Sequence, residues 1–290
     1  RGDFMKDRHI MEALGKTRVV VENGKIVEVG EPMTEYCPIW YKVTGVKKFT
    51  PQIVKENIGL RMKEFGMFTA DRAIEMETFV GFGASETFMT ALKKGLLDVC
   101  VTACDGAGTV ITGNPKLVQG IGAKISGLVE TSPIPKLIER IGQAGGIVLD
   151  KDTAAIDQPE GVKRAIDAGY KKIGVSVTNI KELKRIRMLE KSNGVDVIAF
   201  GVHTTAMPED EAKEFIGLID MTTSCTSKWI RGQIEGNTIA QFGNGIPIFA
   251  ITQRSKELLL ERAKDVSDSI LVNTAKLPEL PDERQPKPLV

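Results

Sequence analysis

From residue 135 onward two apolar patterns take turns, and this alternation restricts the fold more than any other feature of the chain. Short β-branched runs at 146–150, 172–178, 195–202, 218–222 and 246–251 read as buried strands. Between them lie stretches with helical spacing and helix punctuation: 135–141, 159–168 stopped by Gly169, and 180–191 closed by Ser192-Asn193-Gly194. Three more follow, one from Met207 with acids in its first turn, one at 226–233 and one at 254–268. A strand that returns through a helix lies parallel to its predecessor and leaves the helix on the sheet. The expectation is an α/β protein with a mainly parallel sheet and helices on both faces.

The first part of the chain is patterned differently. Asn23-Gly24 stands between two β-branched runs within residues 17–29, and a type I′ turn needs positive φ at both central positions, so these residues predict an N-terminal β-hairpin. Pro38 holds Cys37 extended, on a loop. Thr50-Pro51 and Asn114-Pro115 open helices, and Ser85 starts another that ends in Lys93-Lys94-Gly95. The expected organisation is a hairpin and helical portion at 5–95, an α/β domain at 96–275 and an extended Pro-rich tail at 276–290. No repeat of fixed period is seen.

Composition narrows the function classes. A formal net charge of +1 and 6% aromatic residues give no electrostatic or stacking case for nucleic acid or an anionic membrane. No apolar run nears the roughly 20 residues that span a bilayer, and the opening residues do not read as a signal peptide, so the expected location is cytoplasmic. Four cysteines in such a chain favour thiols, metal ligation or catalysis over disulfides.

The candidate chemistry lies where strands end. A strand at 99–103 breaks into the glycine turn Asp105-Gly106-Ala107-Gly108, with Cys100 and Cys104 on it, and Cys225 occupies a comparable place after the run at 218–222. Turns at the carboxyl ends of parallel strands gather into one crevice, so Cys104 and Cys225 are expected to meet there. With Cys37 and Cys100 as further ligands they would hold an Fe–S cluster or another thiolate-bound metal; Cys100 reads more readily as core packing than as a ligand. A helix start after Cys225 would lower its thiol pKa. Backbone N–H groups of Asp105, Gly106, Gly108 and Thr109 form a second candidate, a phosphate cradle, although the loop has neither Walker nor dinucleotide spacing. Ser224, Thr226, Ser227 and Lys228 form another anion loop. His203 follows a buried strand and is a candidate ligand or general base, so the catalytic candidates are His203, Cys225 and Asp105. These residues leave three readings open: a metal protein, a metal-free enzyme that binds a phosphorylated or carboxylated small molecule, and a non-catalytic interaction module.

Several blocks occur together in order: the run 104–111, the run 117–131, Val202-His203-Thr204-Thr205, and the run 223–228, after a hairpin and Glu35-Tyr36-Cys37-Pro38. In these the chain resembles the archaeal family called methanogenesis marker protein 8. The resemblance implies an accessory role in methane metabolism, in maturing or activating methyl-coenzyme M reductase or building a cofactor. The reductase or its activation factors are then the expected partners, and a homo-oligomer is a further expectation. It also implies an anaerobic cytoplasm, where exposed Fe–S clusters survive. No catalytic residues come with the resemblance.

Overall fold

The computed structural model describes residues 7–243 and 246–290, so the boundary expected at Met5 and the reading of the first six residues lie outside it. The chain begins as a meander. β1 (Arg8–Glu12) pairs antiparallel with β2 (Arg18–Glu22), which returns as β3 (Lys25–Val29). Asn23 and Gly24 take φ of 49° and 71°, the left-handed pair that the type I′ turn requires. Cys37 is extended ahead of α1 (Pro38–Thr44), as the following proline demands. The side chain of Thr50 accepts the Ile53 N–H at the start of α2 (Pro51–Phe65), whose Val54 and Ile58 pack on Met11, Val19 and Val21 of the small sheet.

α3 (Ala84–Lys93) starts two residues earlier than the serine cap predicted; Gly83 is its N-cap and Ser85 is inside the helix, donating to Glu86. β4 (Val99–Cys104) and β5 (Gly108–Thr112) then form a hairpin. α4 (Pro115–Gly122) is capped by Asn114, which accepts the N–H groups of Lys116 and Leu117. β6 (Gly127–Thr131) comes from the expected portion 96–275 but pairs with β1, so the small sheet is built from both expected portions, in the order β3-β2-β1-β6. α5 (Pro135–Gln143) and β7 (Gly146–Val148) follow.

The alternation read from sequence comes next: α6 (Gln158–Asp167), β8 (Lys172–Val177), α7 (Ile180–Asn193), β9 (Asp196–Gly201), α8 (Glu209–Leu218), β10 (Met221–Thr223) and α9 (Lys228–Ile234). β11 (Ala240–Phe242), β12 (Ile248–Ala250) and α10 (Gln253–Lys264) complete it. The large sheet has the order β11-β12-β10-β9-β8-β4-β5-β7. β10, β9, β8 and β4 are mutually parallel, but every pairing outside them is antiparallel, so the sheet is mixed rather than mainly parallel. The reason is local. A parallel return needs a dozen or more residues, whereas only residues 105–107 separate β4 from β5, with Gly106 and Gly108 at φ of 79° and 68°.

Helices cover both faces of this sheet. Alternate residues of β9 divide between them: Val197 and Ala199 pack with α6 to α9, and Ile198 and Phe200 with α3, α4 and α10. The tail is not a free strand. Lys287 forms a bridge with Tyr36, and Val290 exchanges backbone bonds with Thr226 and Lys228. Among the described residues no helix is long and apolar enough to cross a membrane.

Candidate functional site

Between the two sheets lies a cavity of about 720 Å³, within the range of small-molecule sites. Its floor is the carboxyl end of the parallel strands: Thr102 and Ala103 of β4, Ser176 and Thr178 at the end of β8, Val202 and His203 after β9, and Cys225 and Thr226 after β10. Its roof comes from the meander and α2, with Gly15, Lys16, Asn57, Arg61 and Phe65, and from Lys124, Gly127 and Leu128 around β6. The crevice expected at strand ends is present, and His203, Cys225 and Cys37 line it.

Non-glycine residues seldom take positive φ. Among the described residues eight do, and four of these line this cavity: Lys16 (58°), Lys124 (64°), His203 (57°) and Cys225 (43°). His203 Nε2 lies 2.5 Å from Oε2 of Glu12 at the end of β1. The two meet because residue 127 is glycine; a Cβ there would stand 2.3 Å from Nε2. The His203 hydrogen bond holds the Glu12 carboxyl below its ordinary value, ahead of the opposing effect of burial. This is the arrangement by which a carboxylate fixes an imidazole tautomer, with Nε2 donating and Nδ1 left to accept. Behind Cys225 a buried hydroxyl cluster ties the loops together: Thr205 and Thr34 each bond Thr226 Oγ1, at 2.8 and 2.9 Å. Lys16 Nζ donates to the Thr205 carbonyl at 2.8 Å. Arg231 Nη2 donates to the Cys225 carbonyl at 2.7 Å, and Thr223 Oγ1 is 3.4 Å from the Cys225 sulfur.

Other expectations are corrected. Cys104 and Cys225 do not meet. β9 and β8 stand between β10 and β4, a separation of roughly 14 Å at the usual strand spacing. Cys104 pairs in the hairpin with Gly108 and is sealed among Ala107, Val110, Leu117 and Leu137, while Cys100 is sealed in a different cluster with Phe88 and Val118. Burial pushes both thiols up, away from the thiolate a metal needs. Among the described residues no group of three or more His, Cys, Asp or Glu is arranged to hold a metal ion, so the four sulfurs do not fit a cluster site as expected.

The Asp105–Thr109 cradle is likewise spent within the fold. Asp105 is fully buried and accepts Arg72 Nε at 2.8 Å and the Phe68 N–H at 2.7 Å, so it is a structural anion rather than a base. Gly106 N–H donates to Thr131 Oγ1, Thr109 N–H to the Ala155 carbonyl, and Thr109 Oγ1 to Gln158, while Gly108 packs against the Ala154 carbonyl. In the second loop Ser227 caps α9, the Lys228 N–H donates to Val290, and the Lys228 ammonium stands over Trp229. Only Ser224 Oγ is buried there without a partner.

Lys16, Arg61, Lys124 and Asn57, which line the crevice, and Glu12, which reaches it through His203, were not legible as site residues, since each is an ordinary residue of a helix, strand or turn and only the docking of the small sheet brings it there.

Residues 9–264 match a family described as an uncharacterized protein conserved in archaea, DUF2099. The uncharacterized protein MJ0054 of Methanocaldococcus jannaschii is 51% identical over 285 residues, covering 98% of this chain and 100% of that protein. With a family match over most of its length and a relative this similar end to end, the chain belongs to the archaeal family DUF2099.

Proposed function

We propose that the chain binds a small organic molecule with a largely apolar body in the cavity between its sheets, and that His203 moves a proton on it. The observation that carries this reading is the convergence of Lys16, Lys124, His203 and Cys225, all in left-handed backbone, on one cavity. Each such residue costs on the order of 1 kcal/mol or more and persists where the surrounding structure forces it, a pattern concentrated at ligand sites. Glu12 supplies the orienting carboxylate, Nδ1 of His203 accepts or returns the proton, and the Cys225 thiol stands in the same cavity as a nucleophile. Phe65, Phe88, Leu128 and Val118 supply the apolar walls.

The place of this activity in methane metabolism, as an accessory to methyl-coenzyme M reductase or to its cofactors, is proposed on the resemblance to methanogenesis marker protein 8. Native mass spectrometry tests the binding reading. Protein exposed to the small-molecule fraction of a methane-forming archaeon should retain a discrete mass, and Ala103→Phe, which fills the cavity floor, should lose it. His203→Gln should retain the compound chemically unchanged where the wild type converts it. No retained mass in the wild type would remove the proposal.

A further inference from the structure

We infer that the occupant of this cavity carries an oxyanion group, a carboxylate or a phosphate, and that Arg61 and Lys124 hold it. This rests on the binding reading above and adds the charge of the ligand. Both cations line the cavity. Arg61 Nη1 donates to the Lys124 carbonyl at 2.7 Å and to Ser126 Oγ at 3.1 Å, which fixes the guanidinium against the Lys124 backbone. Among the described residues neither cation has an ion-pair partner. The Lys124 ammonium stands over the rings of Phe79 and Phe65, which attract a cation without cancelling its charge.

The acids of the same cavity are engaged or remote. Glu86 already accepts from Gln119 Nε2, Ser85 Oγ and the N–H groups of Phe79 and Val80. Glu64 is exposed, and Glu182 belongs to α7 on the floor side. Burial lowers the pKa of both cations, Arg61 to about 10, with Arg72 adding repulsion on Arg61 and Arg61 on Lys124, while Glu64 and Glu86 pull Lys124 the other way without reversing the shift. Two partly desolvated positive charges with no ion pair in contact, Lys124 drawn only at longer range by Glu64 and Glu86, are stabilised by an anion placed between them.

A second observation points the same way. Asn57 lies one turn before Arg61, on the same face of α2, and is only 6% exposed. Its amide makes no hydrogen bond among the described residues, and Oδ1 is sealed from water. A buried amide oxygen without a donor is costly. An occupant with an N–H or O–H beside its oxyanion satisfies both groups at once.

Two fluorescent probes separate charge from shape: anilinonaphthalene sulfonate, and N-phenylnaphthylamine, the same ring system without the sulfonate. The wild type should bind the sulfonate about tenfold tighter than the neutral probe, the usual scale of one charge-assisted contact. Arg61→Gln and Lys124→Gln should each remove most of that preference, and Ala103→Phe should weaken both probes. Among the described residues Lys124 makes no side-chain hydrogen bond, so Lys124→Gln carries the test if Arg61→Gln does not fold. Equal binding of the two probes, or a preference that survives both substitutions, overturns the oxyanion site and leaves the cavity reading standing. Failure of the wild type to bind either probe overturns both.

Discussion

A guanidinium with no exposed surface has to find all its partners inside the protein. Arg72 does so through Asp105 at 2.8 Å and through the carbonyls of Ala73, Gly120, Ile121 and Ala123. Replacing only one member of such a pair strands the other charge, so Arg72→Met is expected to lower unfolding free energy by about 3–5 kcal/mol in urea melts. Glu12 makes a different forecast. Its folded pKa is held below the ordinary 4.5, so its contribution to stability is present above that value and drains away as pH falls through the depressed folded pKa. The wild type should therefore lose stability relative to Glu12→Gln on passing from neutral pH to below pH ~4. A constant difference between the two proteins across that window would contradict it.

At the scale of elements, β6 explains how one histidine came to be held. The strand pairs with β1 at Met11 and Glu12, which sets Gly127 beside Glu12 and leaves room for the His203 ring over a residue without a side chain. Gly127→Ala places a methyl group 2.3 Å from Nε2, so the ring must shift. The expected cost is roughly 1–3 kcal/mol, and the acid dependence that Glu12 gives the wild type should disappear with it, read by the same melts. α4 offers a simpler case. Asn114 accepts two N–H groups at its first turn, and Asn114→Ala should cost about 1 kcal/mol.

For the molecule as a whole, the tail closes what the two sheets enclose. Pro286 lines the cavity, Lys287 bridges to Tyr36 next to Cys37, and Val290 bonds the loop that carries Cys225. Removing residues 282–290 should speed alkylation of Cys37 and Cys225 by iodoacetamide, followed by peptide mass spectrometry. Cys100 and Cys104 should stay unmodified until the protein unfolds, because both are fully buried. Equal labelling of all four would refute this account of the cavity and of the tail.

Local chemistry determined much of the fold. The Asn23-Gly24 turn, the proline-led helices at Thr50 and Asn114, and the alternation from β8 to α10 depend on neighbours in sequence, where propensity and period act. The crevice at strand ends was legible for the same reason, with His203 and Cys225 on it. What the sequence left open was which strand returns antiparallel and which distant stretch lies over the crevice. A three-residue hairpin turned β5 back beside β4 and sealed Cys104 on the far side, and the docking of β6 onto β1 brought Arg61 and Lys124 around one space and Glu12 against His203 at its edge. The pairing of β6 with β1 joins residues more than a hundred positions apart, Glu12 with Gly127 among them, and no local pattern encodes it; only burial of the small sheet against the large one does.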